Sequence, residues 1–473
     1  MAMLCRQHLV KVVNVNAQGE KYGNALQAAS CGGHKSVVQL LLKNGADVNA
    51  QDVNAQGGHY GNALQAASDG GHESVVQLLL DNGADINAQG GQFGNALQAA
   101  SHGGHESLVQ LLLKNEADVN AQGGPYGKAL QAASHGGHEP VVQLLLDNGA
   151  DINAQGGQFG NALQAASLGG HESLVQLLLK NEADVNAQGG PYGKALQAAS
   201  NGGDESVVQL LLDNGADINA QGGLGGNALQ AASDRGHESV VQLLLKNGAD
   251  VNAQGRKCGK ERKAAGFSGH HSVVQLLLDN GADINAQGGL VGNALLAASD
   301  RDVNAQGGVL GNALQAASRE GRESVVQLLL DNGADINAQG GQFGNALQAA
   351  SRGGHESAVQ LLLKNGADVK AQGGHFGNAL QAASCGGHEP VVQLLLKNGA
   401  DVNDQGGHCG NALQAASCGG HESVVQLLLK NGADVNAQGG VLGNALQAAS
   451  RGGRESVVQL LLDNGADINA QGG

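Results

Sequence analysis

Seventeen histidines and six cysteines are the residues of this chain whose types could support metal or redox chemistry. Ten of the histidines occupy one recurring Gly-His position: His34, His72, His105, His138, His171, His237, His270, His355, His388 and His421. Most are followed by Glu, and His-Glu pairs raise the question of zinc. A zinc hydrolase helix needs two histidines one turn apart, as in HExxH, and that spacing is absent. Copies of one position in neighbouring units stand roughly 10 Å apart when helices pack, too far to share an ion. The expected role of these histidines is to brace a turn at a helix start. Cys385 and Cys418 are equivalent positions in adjacent units, beyond disulfide reach of each other by the same spacing. Cys409 falls between them, with His375 and His408 in nearby turns, and only here does the sequence gather thiols and imidazoles. The 78 glycines include no G-x-x-x-x-G-K-[ST] loop and no G-x-G-x-x-G after a strand. Every serine that could be a nucleophile is repeated, so no Ser-His-Asp set has a unique place. The expectation is no catalytic residue, no metal, no cofactor and no enzymatic activity.

These residues are set by a repeat. The stretch GNALQAASDGGHESVVQLLLDNGADINAQGG, residues 61–91, returns nearly letter for letter to the end of the chain. Its starts at Gly61, Gly94, Gly127 and Gly160 are 33 residues apart. Two steps break the period: Gly23 to Gly61 is 38, where DVNAQ is written twice, and Gly292 to Gly311 is 19, where a second helix is missing. "LLLK…ADVN" units alternate with "LLLD…ADIN" units, which points to recent duplication of a two-unit block and to opposite charges on neighbouring helices, such as Lys114 and Asp147.

Within a unit, NAQGG and two variable residues form a Gly-rich turn. Asn62 is placed to cap a short helix, NALQAAS, which the glycine pair ends. HESVVQLLLDN is a second helix with Glu73 at its positive end. Val75, Val76, Leu79 and Leu80 mark its buried stripe, and Gly83 stops it in a left-handed conformation. Helices this short are marginal alone, so they must stack on copies of themselves as a solenoid.

The 33-residue turn–helix–helix unit ending in GADVNA resembles the ankyrin repeat. The resemblance rests on Asn62 to Gln65 where the family writes Thr-Pro-Leu-His, on Gly71-His72 before the second helix, and on Leu79, Leu80 and Gly83 to Asp85. The GNALQAAS…GGHE dialect is similar to fungal ankyrin arrays, some free-standing and some forming the sensor end of NACHT-type regulators. The resemblance implies an all-α, curved solenoid with turn fingers and a concave face, and protein–protein recognition rather than catalysis. Against the family pattern, Gln65 replaces His but keeps an amide for neighbouring turns. Lys128 and Lys194 replace the capping Asn, and Glu116 and Glu182 replace the capping Gly, each at a cost of about 1 kcal/mol or less.

What varies between units is the pair of residues before Gly-Asn and the residue after Ala-Ala-Ser. In the ankyrin family these are the finger tip and the inner-helix end, which line the partner groove. The candidate partner-binding residues are therefore His59, Tyr60, Gln92, Phe93, Tyr126, Phe159, Tyr192, Phe343 and Phe376 at tips. Asp69, His102, His135, Leu168, Arg319, Arg352 and Arg451 are the candidates at helix ends. Nearly all the aromatics of a chain with 2% aromatic content sit at these tips. Aromatic anchors are typical of interface hot spots, and equally of residues that pack a stack together; both readings stand.

The organisation follows: 1–22 a degenerate helix, 23–255 a first stack, 256–310 a degenerate and truncated joint, 311–473 a second stack. In the joint, Arg262 stands where the first helix needs its Leu. At the far end Leu460 to Leu462 lack a following polar cap, so the sequence predicts partial exposure or a longer chain. The net charge of −16 argues against non-specific nucleic-acid binding. No apolar run is long enough to span a membrane. Unpaired cysteines and the lack of an Asn-x-Ser acceptor point to an intracellular, reducing compartment, nucleus or cytoplasm. The predicted function is a non-catalytic scaffold or adaptor for another protein, with no small-molecule substrate. Its regulatory form is a transcription coregulator, or alternatively the recognition portion of a NACHT-type regulator.

Overall fold

Each unit whose inner helix is described is built around one glutamine, buried in all but the unit of Gln447. In the computed structural model, Asn95 Oδ1 accepts from the Gln98 backbone N–H at 2.9 Å, and Gln98 Oε1 accepts from Asn95 N–H at 2.6 Å. This reciprocal box caps the helix Ala96–His102. The same Gln98 amide then donates to the Ala121 and Gly127 carbonyls of the next unit, at 2.9 and 2.7 Å. One side chain thus caps its own helix and ties down the following finger. Gln65, Gln164, Gln315, Gln348 and Gln414 repeat the arrangement. The amide that replaces the family histidine is therefore the main polar link between units. Its site is almost dry, with Gln98 1% exposed. Gly94 must stay glycine: its φ is +94°, and a Cβ there would collide with the Gln98 amide.

The structure describes residues 16–17, 23–51, 61–223, 226–253, 270–286, 311–441 and 443–470. Among these the only regular elements are helices, with isolated backbone bridges in the fingers such as Gly90 to Gly94. Inner helices of seven or eight residues, Ala63–Asp69, Ala96–His102, Ala129–Gly136 and their equivalents, pack on one another. Their alanines, such as Ala99 and Ala100, are fully buried and small enough to let neighbouring backbones approach. Outer helices of nine residues, such as Glu73–Asp81 and Glu106–Lys114, bury a stripe onto them. That stripe is Val75, Val76 and Leu79; Leu80 is only half-buried, because the outer helix is covered along one narrow face. The aspartate ending an outer helix is held within its own helix, Gln77 donating to Asp81 at 2.8 Å.

The departures from the family pattern take the expected places. Glu116 and Glu182 adopt the left-handed conformation of the glycine they replace, with φ of 66° and 65°. Lys128 and Lys194 make no side-chain cap, so half of each box survives, in which Gln131 and Gln197 accept the lysine N–H.

The chain forms two compact units, 1–217 and 218–473. In each, an asparagine ladder joins the turns after the outer helices. In the first, Asp118 N–H donates to Asn87 at 2.9 Å and Asp151 to Asn120 at 2.9 Å. In the second, Asp250 donates to Asn219 and Asp368 to Asn337. These partners are 31 residues apart, and two rungs are not: Asp85 donates to Asn49 at 2.8 Å across 36 residues, and Asp335 donates to Asn285 at 3.0 Å across 50 residues. Helix His271–Asp279 packs directly on Glu323–Asp331. The stack therefore closes over the truncated unit, whose extra length, 50 − 31 = 19, equals the short step found in the sequence. Most of the proposed joint, 254–269 and 287–310, and most of 1–22 lie outside the described residues. In the last outer helix Leu461 is buried while Leu460 and Leu462 are half-buried.

Candidate partner-binding face

Finger tips and inner-helix ends meet along one edge of each unit. A tip such as Gly91–Phe93 is a three-residue turn closed by Gly90 N–H to the Gly94 carbonyl at 2.8 Å. Its two variable residues point differently. Gln92 is exposed and Phe93 is half-buried. The pattern recurs in Pro125 and Tyr126, Gln158 and Phe159, His375 and Phe376. Backbone bonds join several tips, from Gln158 to Pro125 at 2.7 Å and from His408 to His375 at 3.0 Å.

The inward residues interleave with the helix-end residues. In the first compact unit, Phe93, His102, Tyr126, His135 and Phe159 form a continuous ladder. Its ring centroids are 5.1 Å apart for Phe93–His102, 4.6 Å for His102–Tyr126, 5.7 Å for Tyr126–His135 and 4.1 Å for His135–Phe159. In the second unit Arg319 lies 5.0 Å over the Phe343 ring and Arg352 5.2 Å over Phe376. Phe343 and Phe376 stack at 6.1 Å. These are cation–π and offset contacts worth about 1 kcal/mol each, so the ladder stiffens the face that carries the exposed tips.

Burial holds His102 and His135 below the ordinary histidine range. At His102, Asp69 partly offsets that effect; at His135, the charge of His102 adds to it. The recurring Gly-His residues lie elsewhere. His105 Nε2 is 2.9 Å from the Asp69 carbonyl, His138 Nε2 is 2.9 Å from that of His102, and His388 Nε2 is 3.1 Å from that of Arg352. Each imidazole bridges to the end of the preceding inner helix, which is the bracing role expected of it. Asp204, where a unit lacks this histidine, caps its helix by accepting from Val207 N–H at 3.0 Å.

The structure brings together Phe93, His102, Tyr126, His135 and Phe159 in one ladder, and Arg319, Phe343, Arg352 and Phe376 in another. Phe159 and Phe343 are each only 8% exposed and are committed to the ladder. Asp69, Leu168 and Tyr192 are half-buried at equivalent positions, Gln92 is exposed at its tip, and Arg451 is exposed at the end of its inner helix. His59 and Tyr60 lie outside the described residues. The solvent-facing set also includes Pro125, Gln158, His375, His408 and Val441, which were not among the candidates. In these pairs the first variable residue is the exposed one, whereas Pro191 and Gln342 are half-buried at the same position.

The family model described as "Ankyrin repeats (3 copies)" matches in overlapping segments that include 2–90, 96–189, 195–288 and 289–373, and extends to 472. The chain belongs to the ankyrin-repeat family. Repeats of this family are protein–protein interaction scaffolds and are generally non-catalytic. Among curated proteins, the Monascus ruber "Azaphilone pigments biosynthesis cluster protein L" is 74% identical over 34 residues, 7% of each chain. The match spans about one repeat of that relative. Among solved structures, the human ASB11 ankyrin repeat domain is 27% identical, with a TM-score of 0.41, covering 48% of this chain and 99% of that one. Among the described residues no helix is long and apolar enough to cross a membrane.

Proposed function

We propose that this ankyrin-repeat chain is an intracellular adaptor that holds another protein along its finger tips and inner-helix ends, without catalysing a reaction. The observation that carries this reading is the division of labour at the tips. A ladder of inward rings is held in place, and the outward residue beside it changes from Gln92 to Pro125 to His375 on an otherwise repeated backbone. A surface whose exposed tip residues change on a repeated backbone is suited to a protein partner, and many similar contacts would supply affinity through their number. The regulatory form of this function is transcription coregulation, in which the chain holds a DNA-binding protein. Its own net charge of −16 disfavours contact with phosphates.

Proximity labelling with the tagged chain in its own host tests the reading. Enrichment of a transcription factor supports the coregulator, and enrichment of a nucleotide-binding regulator assigns the chain to a sensor assembly instead. Replacing His375 and His408 together with alanine should lower recovery of the labelled partner well beyond the small loss of stability that their shared ring contact accounts for. Recovery unaffected by tip substitutions in every unit would overturn the tip-borne site.

A further inference from the structure

The ladder changes chemistry towards the C-terminal end. The position that carries His102, His135, Arg319 and Arg352 in other units is Cys385 and then Cys418. The inward tip position that carries Phe93, Tyr126, Phe343 and Phe376 is Cys409. Arg319 meets Phe343, and Arg352 meets Phe376, 24 residues further on. The same 24-residue step leads from Cys385 to Cys409, so the register of the stack places these two thiols against each other. A fold that elsewhere stacks a ring on a cation here sets two thiols face to face, one on helix Ala379–Gly386 and one on the next finger.

The surroundings hold both sulfurs in place. The Cys385 carbonyl is 3.2 Å from His421 Nε2. The finger bearing Cys409 is fixed to its neighbour by His408 N–H to the His375 carbonyl at 3.0 Å, and the two imidazole rings lie 4.2 Å apart. Arg352 supplies positive charge: a Cβ on Gly386 would lie 3.0 Å from its Nη1. Both cysteines are half-buried, so a small oxidant can reach them.

We propose that Cys385 and Cys409 are a peroxide-responsive dithiol site, with Cys385 as the attacking thiol and Cys409 as the resolving one. The assignment of roles follows from the placement of Arg352 beside the helix end that carries Cys385. Interaction with the Cys409 thiol and with the Arg352 charge favours a Cys385 thiolate against the opposing effect of burial, bringing Cys385 down to about 6. Cys409 is pushed up by the same interaction, by burial, and by the neighbouring thiolates. The Cys385 thiolate attacks hydrogen peroxide, giving a sulfenic acid and hydroxide. The Cys409 thiol then displaces water from that sulfenic acid and forms the disulfide, its proton leaving with the water. Two thiols are oxidised by two electrons and one peroxide is reduced to two waters once the hydroxide is protonated. The product covalently ties an inner helix to the finger of the following unit. A thiol-dependent reductant such as a dithiol reverses it. This site stands independently of the binding function proposed above.

The full-length chain contains its own reference, since Cys31 occupies the position of Cys385 in the first described unit. Under limiting iodoacetamide, Cys385 should be alkylated about tenfold faster than Cys31. After one equivalent of hydrogen peroxide, tryptic digestion without reduction should link peptide 371–397 to peptide 398–430 with the loss of two hydrogens. The second peptide holds both Cys409 and Cys418, so the link must survive Cys418→Ser and vanish in Cys409→Ser. Circular dichroism of each variant verifies that the stack is intact. Three results would overturn the proposal: Cys385 reacting no faster than Cys31, a Cys409–Cys418 link within one peptide, or a link that Cys418→Ser removes and Cys409→Ser retains.

Discussion

At the scale of single residues, the ladder converts burial into a pH dependence. His102 and His135 are held below their ordinary value of 6.5, mainly by desolvation. Above that value both imidazoles are neutral in the folded and unfolded chain alike, and the ladder's contribution is complete. As the pH falls through 6.5 the unfolded chain takes up these protons before the folded chain does. Folding then loses ground, because stability falls wherever the unfolded state binds more protons. The unfolding midpoint should therefore drop on acidification from about pH 7.5 to about pH 5.5, a window that brackets the ordinary histidine value. In a His102→Asn, His135→Asn double variant the drop should be shallower, even though lost stacking lowers its midpoint at neutral pH. Parallel pH profiles for the two proteins would show that the ladder histidines do not couple protonation to folding. The direction of these shifts could not be read from the text AASH. It depends on rings 24 residues away covering the imidazole.

At the scale of an element, each helix is too short to persist alone and depends on its cap and its neighbours. Lys128 tests how much the cap contributes. Where Asn95 completes a reciprocal box, Lys128 only lends its N–H to Gln131 Oε1 at 2.6 Å. Lys128→Asn should restore the missing acceptor and stabilise the first compact unit by about 1 kcal/mol, seen as a higher denaturant midpoint with an unchanged slope. A midpoint that does not rise would mean that packing between units, rather than the cap, limits that helix. The helices themselves were legible in the sequence, because Asn62, Gly83 and the Val75–Leu79 spacing each encode a local rule and recur many times. The amide of Gln65 was legible as a link to neighbouring turns for the same reason. Which residue of a tip pair faces solvent was not legible. In a three-residue turn bracketed by glycines, that choice is made by the backbone path and by the ring waiting on the preceding helix, as at Phe93 and His102. Hence His375 and His408 were weighed only beside the cysteines and not as partner-binding candidates, while the buried Phe159 and Phe343 stood among them.

At the scale of the whole molecule, the repeat makes register a property of long-range bonds rather than of chain continuity. The Asn285 to Asp335 rung shows the outer stack of the second compact unit passing from helix His271–Asp279 to helix Glu323–Asp331. A solenoid needs only nearest-neighbour interfaces, so residues that supply no interface can be removed without disturbing the rest. We propose that deleting residues 292–310 leaves the unfolding midpoint the same or slightly higher, because the outer helices and the rung on either side already meet directly. The deletion would give Asn285 and Asp335 the 31-residue spacing of the other rungs in the second compact unit. A marked fall in the midpoint would mean that 292–310 does build an interface. We also propose 256–310 as the weak joint of the chain, on the ground that Arg262 cannot fill the place of a buried leucine. Trypsin under limiting conditions should then cut first near Lys260 to Lys263 and at Arg301, and in the deletion variant only near Lys260 to Lys263. First cuts inside the repeats on either side would refute the joint. Because Asp283 bonds to Asn252 across the first site and Asp335 to Asn285 across Arg301, the nicked protein should still migrate as one body until denaturant is added.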